Sequence, residues 1–258
     1  MKTMMVHLRK GGVGKSTMAI LYAWYQRKRG RRVLFVDFDT QCSSTRVLTR
    51  VDADCYPAYA ARPVGSILDL TDAGFAERLF AGEHGPFDIL TAVEDIMFEA
   101  ADCDTIAASA RALAASDAYD VAIFDTAPQL DAPVVALFQS ADNLLIPMRP
   151  EDFSFDQVGV VLQLKAIGDQ SRKVPLNIAG LVVNAMMPRE TMRSVLALVE
   201  RGHPDILVST IVSANEPIRI AIDEAIPIFE QPSSYARQKR RELEQVFSEV
   251  DRRCAWPK

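Results

Sequence analysis

The chain reads as one α/β domain, residues 1–258, built on a mostly parallel twisted sheet with helices on both faces. Three observations predict it. Short apolar runs alternate with longer amphipathic segments, as strand–helix–strand units around a parallel sheet require. Several runs, Val33-Leu34-Phe35-Val36 and Val121-Ala122-Ile123-Phe124 among them, are apolar without alternation, as strands buried on both faces are. The first run, Met4-Met5-Val6-His7-Leu8, leads into a glycine-rich loop and then an amphipathic segment from Met18. No internal repeat, low-complexity tract or Pro/Gly/Ser-rich linker divides the chain.

That loop, Lys10-Gly11-Gly12-Val13-Gly14-Lys15-Ser16-Thr17, carries the first chemistry. Glycines at 11, 12 and 14 leave room for backbone N–H groups to face phosphate oxygens, and the following helix adds partial positive charge at the same point. In such a loop Lys15 sits on the β- and γ-phosphates and the Ser16 hydroxyl is a ligand of Mg²⁺. The usual pattern has a glycine five positions before Gly14; here that position is Arg9, and a second lysine, Lys10, precedes the glycine pair.

Composition bounds the alternatives. Of the 258 residues 49% are hydrophobic, enough for a substantial core. No apolar run approaches the roughly 18 residues of a membrane span, and no long apolar segment leads to a small-residue cleavage site, so a cytoplasmic chain is expected. The four cysteines, Cys42, Cys55, Cys103 and Cys254, form no Cys-x-x-Cys pair and write no zinc or redox motif. A net charge of −5 confines any nucleic-acid contact to local patches.

The first helix is expected from Ser16 to Arg29, ended by Gly30. Arg27, Lys28 and Arg29 then complement the carbonyl end of the helix dipole, with Arg31 and Arg32 following, so helix chemistry accounts for this basic cluster. The next run, Val33 to Val36, delivers Asp37-Phe38-Asp39-Thr40-Gln41 at its C-terminal end, the edge at which open α/β sheets bind ligands. Helices are expected over 64–70, 75–80 and 105–115, with a short strand over 87–90. A buried strand then ends in Asp125, placed to hold a water of a Mg²⁺ shell. Further strands are expected over 143–148, 178–183 and 207–212, and helices over 153–167, 191–201 and 233–253. Asn184 follows the 178–183 strand, where an asparagine is equally a turn residue. On the last helix Ala236, Leu243, Val246, Phe247 and Val250 form a core stripe. Its basic run, Arg237, Lys239, Arg240 and Arg241, gains nothing from the helix dipole, and is either a phosphate-contacting patch or a solvated face.

Lys10 to Thr17 resembles the deviant Walker A motif of the ParA/MinD family. The resemblance implies ATP and Mg²⁺ as cofactors, an ATP-sandwiched homodimer, and a Lys10 that crosses to the partner subunit's nucleotide. Residues 37–41 resemble the family's second acidic motif, with Thr40 where proline is common; by that match Asp39 positions the attacking water and Asp37 supports the metal. Asp125-Thr126-Ala127-Pro128 resembles the family's Asp-x-Pro-Pro switch, with Ala127 replacing one proline. Asn184 falls where the family often contacts adenine. A DNA-contacting arginine of the family lies near Arg219, although Pro217 occupies the aligned position.

Together these imply a slow, partner-stimulated ATPase most like ParA-type partition proteins. Such a protein binds double-stranded DNA non-specifically in its ATP state, is nucleoid-associated, and is released by a ParB-like centromere-binding protein. With the loop at residue 10, no N-terminal helix-turn-helix domain is expected. Two related outputs compete: positioning of a protein cargo, and a MinD-like membrane-associated regulator. The sparse apolar stripe of the last helix, with Trp256 alone beyond it, argues against stable membrane association. An iron-protein-type reductase needs a cysteine soon after Asp125, and none lies between Asp125 and Cys254. A ligase of related fold is a further alternative.

Overall fold

The computed structural model describes residues 1–72, 74–151, 154–214 and 216–254, with the backbone alone at Ser154. The expected helix start at Phe153, as well as Asn215 and Trp256, lie outside them. The strands are β1 (Lys2–Val6), β2 (Val33–Asp37), β3 (Arg62–Ser66), β4 (Phe87–Thr91), β5 (Val121–Asp125), β6 (Asn143–Met148) and β7 (Asn177–Val183). They pair in parallel in the order β3-β4-β2-β5-β1-β6-β7. The helices are α1 (Lys15–Lys28), α2 (Ser43–Leu48), α3 (Phe75–Ala81), α4 (Asp102–Ala115), α5 (Ala132–Ser140), α6 (Ser154–Asp169), α7 (Glu190–Gly202), α8 (Glu216–Asp223) and α9 (Ser234–Arg253).

Strands β2, β5 and β6 are buried at every position, which is why their sequences run apolar without alternation. One core layer packs α1, α8 and α9 on the sheet around Trp24, Tyr22 and Phe247; the other packs α4, α5 and α6 around Ile106, Leu137 and Val161. Helix α1 is buried continuously from Met18 to Gln26 because the sheet covers one side and α9 the other. The α1–α9 seam is closed by Asp251, which accepts from Tyr22 Oη at 2.7 Å, Gln26 Nε2 at 2.9 Å and Arg31 Nη1 at 3.1 Å.

Strand β1 lies between β5 and β6. The chain leaves β1 toward β2 on one side and crosses from β5 to β6 toward the other, so the order reverses beside β1 and a crevice opens at the carboxyl ends of these strands. The glycine-rich loop fills that position.

Two expected elements differ. The helix over 64–70 is instead β3 followed by a 3-10 helix, Ile67–Thr71. Val64, Ile67 and Leu70 recur every three residues, which a 3-10 turn satisfies as well as an α-helix does. Local caps decide: Asp69 accepts the Ser66 N–H at 2.7 Å, and the strand pairing shifts register between Pro63 and Gly65. The strand over 207–212 is reduced to isolated bridges, Leu181 with Leu207 and Met186 with Ser213. Between them the Ser209 N–H turns to the Glu249 carboxylate at 3.1 Å instead of joining the ladder. Helices α2 and α5 were not foreseen.

Candidate functional site

Three adjacent strands place their last residues side by side: Val6 is in register with Asp125, and Asp125 with Asp37. Parallel register thus brings the acids that end β5 and β2 to one edge, directly beneath the loop that leaves β1. A cleft of about 440 Å³ opens there, lined by Gly11, Gly12, Gly14, Lys15, Ser16, Thr17, Asp39 and Thr40, with Pro128 and Gln129 facing from the loop after β5.

The loop's conformation depends on glycine. Gly12 and Gly14 have φ of 73° and 88°, and a Cβ on Gly14 would stand 2.2 Å from Asn184 Nδ2. Lys15 is 6% exposed, and its Nζ donates to the Lys10 carbonyl at 3.0 Å. Burial lowers the pKa of its ammonium, against the pull of Asp125 and Asp39. Lys10 is more accessible, with its Nζ 3.9 Å from Glu151.

The acids have different surroundings. Asp37 is fully buried and accepts from the Thr45 N–H and Oγ1, each at 2.8 Å, and from the Asp39 N–H at 3.1 Å. Asp125 is fully buried as well; its Oδ2 accepts from Ser44 Oγ at 2.6 Å, the Ser16 hydroxyl also bonds this carboxyl, and its Oδ1 has no partner among the described residues. Burial pushes Asp37 up to about 6, and burial together with the Asp37 charge pushes Asp125 up to about 7. Asp39 reaches the cleft and caps its own turn, accepting the Gln41 N–H at 3.0 Å.

A buried carboxylate oxygen without a donor, next to a serine hydroxyl and a second raised acid, is what a divalent cation satisfies. Among the described residues no cluster of three His, Cys, Asp or Glu could hold a metal alone. That suits Mg²⁺, which keeps waters and takes phosphate oxygens in place of a full protein cage. The residues fit the group.

A second cleft, about 480 Å³, shares Gly12, Gly14 and Thr17 with the first and continues past Arg149, Asn184 and Ile218. Asn184 Nδ2 donates to the Val13 carbonyl at 3.2 Å, and its Oδ1 accepts the Ala185 N–H at 2.8 Å. The asparagine braces the glycine loop at the mouth of this cleft.

Ser44, Thr45, His7 and Thr126 are site residues that sequence reasoning missed. The Ser43-Ser44-Thr45 cluster just after the acidic motif is a local signal for hydroxyl donors beside the acids; it forms the first turn of α2.

The basic residues separate. Lys239 is 1% exposed and donates to Ser213 O at 3.0 Å and Ser213 Oγ at 2.7 Å while pairing with Glu242. This corrects its expected place in a DNA-facing patch: the ammonium pins the loop before α8 to α9 and is enclosed by these internal partners. Arg240 is spent on the carbonyls of Phe229 at 2.8 Å and Gln231 at 3.1 Å. Arg219 is exposed but paired with both Glu216 and Asp223. Arg237 and Arg241 are exposed and make no ion pair with a carboxylate among the described residues.

Comparison with known proteins agrees with this geometry. The family model described as an AAA domain, AAA_31, matches residues 1–178. The chain is 27% identical over 264 residues to Protein IncC of Escherichia coli, covering 97% of this chain and 70% of the relative. It is 28% identical over 242 residues to the chromosome-partitioning ATPase Soj of Treponema pallidum, covering 92% and 91%. Among solved structures, the ATP complex of McdA from Cyanothece superposes with a TM-score of 0.77 at 17% identity, covering 100% of this chain and 98% of that one. With the phosphate loop at the sheet's reversal point, the acids in register beneath it and the family match over more than half its length, the chain belongs to the AAA_31 family of AAA domains and is a P-loop ATPase of the ParA/MinD type.

Proposed function

We propose that the chain is a dimerising partition ATPase that hydrolyses ATP slowly, binds double-stranded DNA non-specifically in its ATP state, and moves plasmid or chromosome DNA with a ParB-like centromere-binding partner that stimulates hydrolysis. The observation that carries the reading is the pairing of two lysines on one glycine loop with acids at the ends of β2 and β5. Lys15 sits inside the loop, held on the Lys10 carbonyl, while Lys10 lies at the surface beside Glu151. Lys15 neutralises charge on its own subunit's nucleotide, and Lys10 reaches that of a second copy.

In this reading Gly11, Gly12, Val13, Gly14 and Thr17 cradle the phosphates with their backbone. Ser16 and Asp125, supported by Asp37, would hold Mg²⁺, which would neutralise phosphate charge. Asp39 orients the attacking water, and Asn184 holds the loop at the base end of the cleft. Catalysis is then positional and electrostatic, with little covalent work for the protein. Loss of the γ-phosphate dissolves the dimer, so each nucleotide state selects a different partner. Such a protein works in the cytoplasm on the nucleoid.

Binding to unrelated duplex DNA, measured with ATP, with ADP and for Lys15→Ala across a salt series, tests the reading. It stands if binding needs ATP, weakens steeply with salt and vanishes in the variant. ATP-dependent dimers that ignore DNA at low salt would refute it.

A further inference from the structure

Several of the cations that make no carboxylate pair among the described residues gather on one face. A cleft of about 660 Å³ lies between the end of α1 and the exposed side of α9, lined by Lys28, Arg29, Arg241 and Arg252 with the hydroxyls of Ser209 and Thr210. The acids in this cleft are already used. Glu244 pairs with Lys28, and Glu249 holds Ser209 and Arg253. Arg29, Arg241 and Arg252 pair with no carboxylate among the described residues; Arg29 rests on the Tyr25 ring, 5.8 Å from its centroid, and Arg252 touches only Ser248 Oγ at 3.3 Å. Arg237 extends the row: it and Arg241 line an adjoining groove on the same helix.

Positions 237, 241 and 252 of α9 fall within about 60° of one another around the helix and span about 22 Å along it. Lys28 and Arg29, entering from α1, fill the long gap between Arg241 and Arg252. A chain with net charge −5 therefore carries a linear excess of four guanidinium groups, with hydroxyl donors beside them. A compact anion would need the charges to converge. A row of this length, with planar forked donors at intervals, matches a repeating anion such as a nucleic-acid backbone.

We infer that the α1–α9 face, through Arg29, Arg237, Arg241 and Arg252, is the surface that tracks the phosphate backbone of duplex DNA. The inference rests on the DNA-binding reading above and relocates the contact. Lys239, Arg240 and Arg219 are consumed by internal partners, and the basic end of α1 belongs to the surface as well as to helix capping. A rival face exists on α7, where Arg189 and Arg193 are exposed with Glu190 between them.

The experiment uses the full chain, unrelated 60-base-pair DNA, saturating ATP and a salt series. The variant Arg29→Gln/Arg237→Gln/Arg241→Gln/Arg252→Gln is compared with wild type and with Arg189→Gln/Arg193→Gln. ATP-driven dimerisation and melting temperature serve as folding controls, since the face is remote from the phosphate cleft. The expected result is a quadruple variant that dimerises with ATP as wild type does but binds DNA about 100-fold more weakly, with the log–log salt slope shallower by about 3 to 4. Each single Arg→Gln change lowers the slope by about 1. If wild type binds DNA and the quadruple variant keeps its affinity and slope, this surface is wrong while the DNA reading stands. The same holds if only the α7 pair abolishes binding. If wild type with ATP ignores DNA and instead co-floats with phosphatidylserine vesicles through these arginines, both the surface's partner and the DNA reading are overturned.

Discussion

His7 Nδ1 lies 2.8 Å from Thr126 Oγ1, and the Thr126 hydroxyl donates to the Val6 carbonyl, also at 2.8 Å. The carbonyl can only accept, so the threonine's proton is committed to it and the histidine must be the donor. His7 is therefore the neutral tautomer with hydrogen on Nδ1, and its buried Nε2 has no partner among the described residues. The chain immediately after Asp125 is thereby tied to the strand that launches the phosphate loop. The ring also meets Phe138 of α5 edge-on, with centroids 5.8 Å apart.

This arrangement fixes a pH response. Burial, with Lys15 and Arg9 nearby, lowers His7 to about 3. A histidine whose pKa is lower folded than unfolded contributes stability that is complete above about 6.5 and is lost as pH falls toward the folded value. Wild type should lose more stability between pH 7 and 4 than His7→Leu does, read by urea melts at each pH. Nitrogen-15 spectra should show an unchanging Nδ1–H tautomer across that range. His7→Leu should lower kcat about 10-fold with little change in KM for ATP, because it loosens the position of Asp125, and His7→Asn should recover most of the rate. A His7 signal titrating near pH 6.5 would contradict the assignment.

The paired acids act in the opposite direction. A carboxyl whose pKa is higher folded than unfolded favours the fold while protonated; that stabilisation is complete below about 4 and lost as pH rises through the folded value. For Asp37 and Asp125 the window runs upward to about 6 and about 7. Asp125→Asn keeps the shape and the Ser44 contact without the charge. At pH 8 it should be more stable than wild type in the nucleotide-free state by roughly 1–4 kcal/mol, while losing Mg²⁺-dependent ATP turnover. Calorimetry at pH 5 and pH 8 checks this, because the advantage should shrink at the lower pH. Equal melting temperatures at pH 8 would show that the pair carries no such burden.

How much of this was legible in the sequence depended on range. The ends of β2 and β5 were readable because an apolar run stopping at Asp is a local pattern, and the glycine loop is a contiguous motif. Ser44 was not, since its partner Asp125 is 81 residues away and nothing near Ser44 names it. The fate of Lys239 was hidden for the same reason. A helix wheel puts it beside exposed arginines, and only the Ser213 carbonyl, 26 residues upstream, draws it inward. The 207–212 segment reads as a strand from its apolar residues, because the pull on Ser209 comes from Glu249, 40 residues downstream.

The two loop lysines should separate in function. Lys15→Ala removes the buried ammonium inside the cradle and should abolish measurable ATP binding. Lys10→Ala removes the accessible one and should leave ATP binding by the monomer within about 3-fold. It should also abolish the ATP-dependent dimer and lower turnover by roughly 10²- to 10³-fold, the scale of losing a cation from a phosphoryl-transfer site. Sedimentation velocity with and without ATP, beside fluorescent-nucleotide titration, distinguishes the two. A Lys10→Ala protein that still dimerises with ATP would remove the case for its role across the interface.

Lys239 offers the cleanest contrast between a structural cation and a DNA-facing one. Its ammonium is enclosed by Ser213 and Glu242, and truncation would leave the Ser213 carbonyl without this donor and the Glu242 carboxylate without its cation, held only by the Ser213 N–H at 2.7 Å and hydroxyl. Breaking one side of a buried pair typically costs about 3–5 kcal/mol; with Glu242 partly exposed here, Lys239→Ala should cost about 2–4 kcal/mol. Lys239→Ala/Glu242→Ala should recover part of that loss by removing the stranded charge. At a temperature where both variants are folded, the salt slope of DNA binding should equal that of wild type, since no phosphate contact has been removed. Denaturant titration gives the stability, and the salt series gives the slope. A Lys239→Ala protein of wild-type stability with a slope shallower by about 1 would return this lysine to the DNA-binding surface.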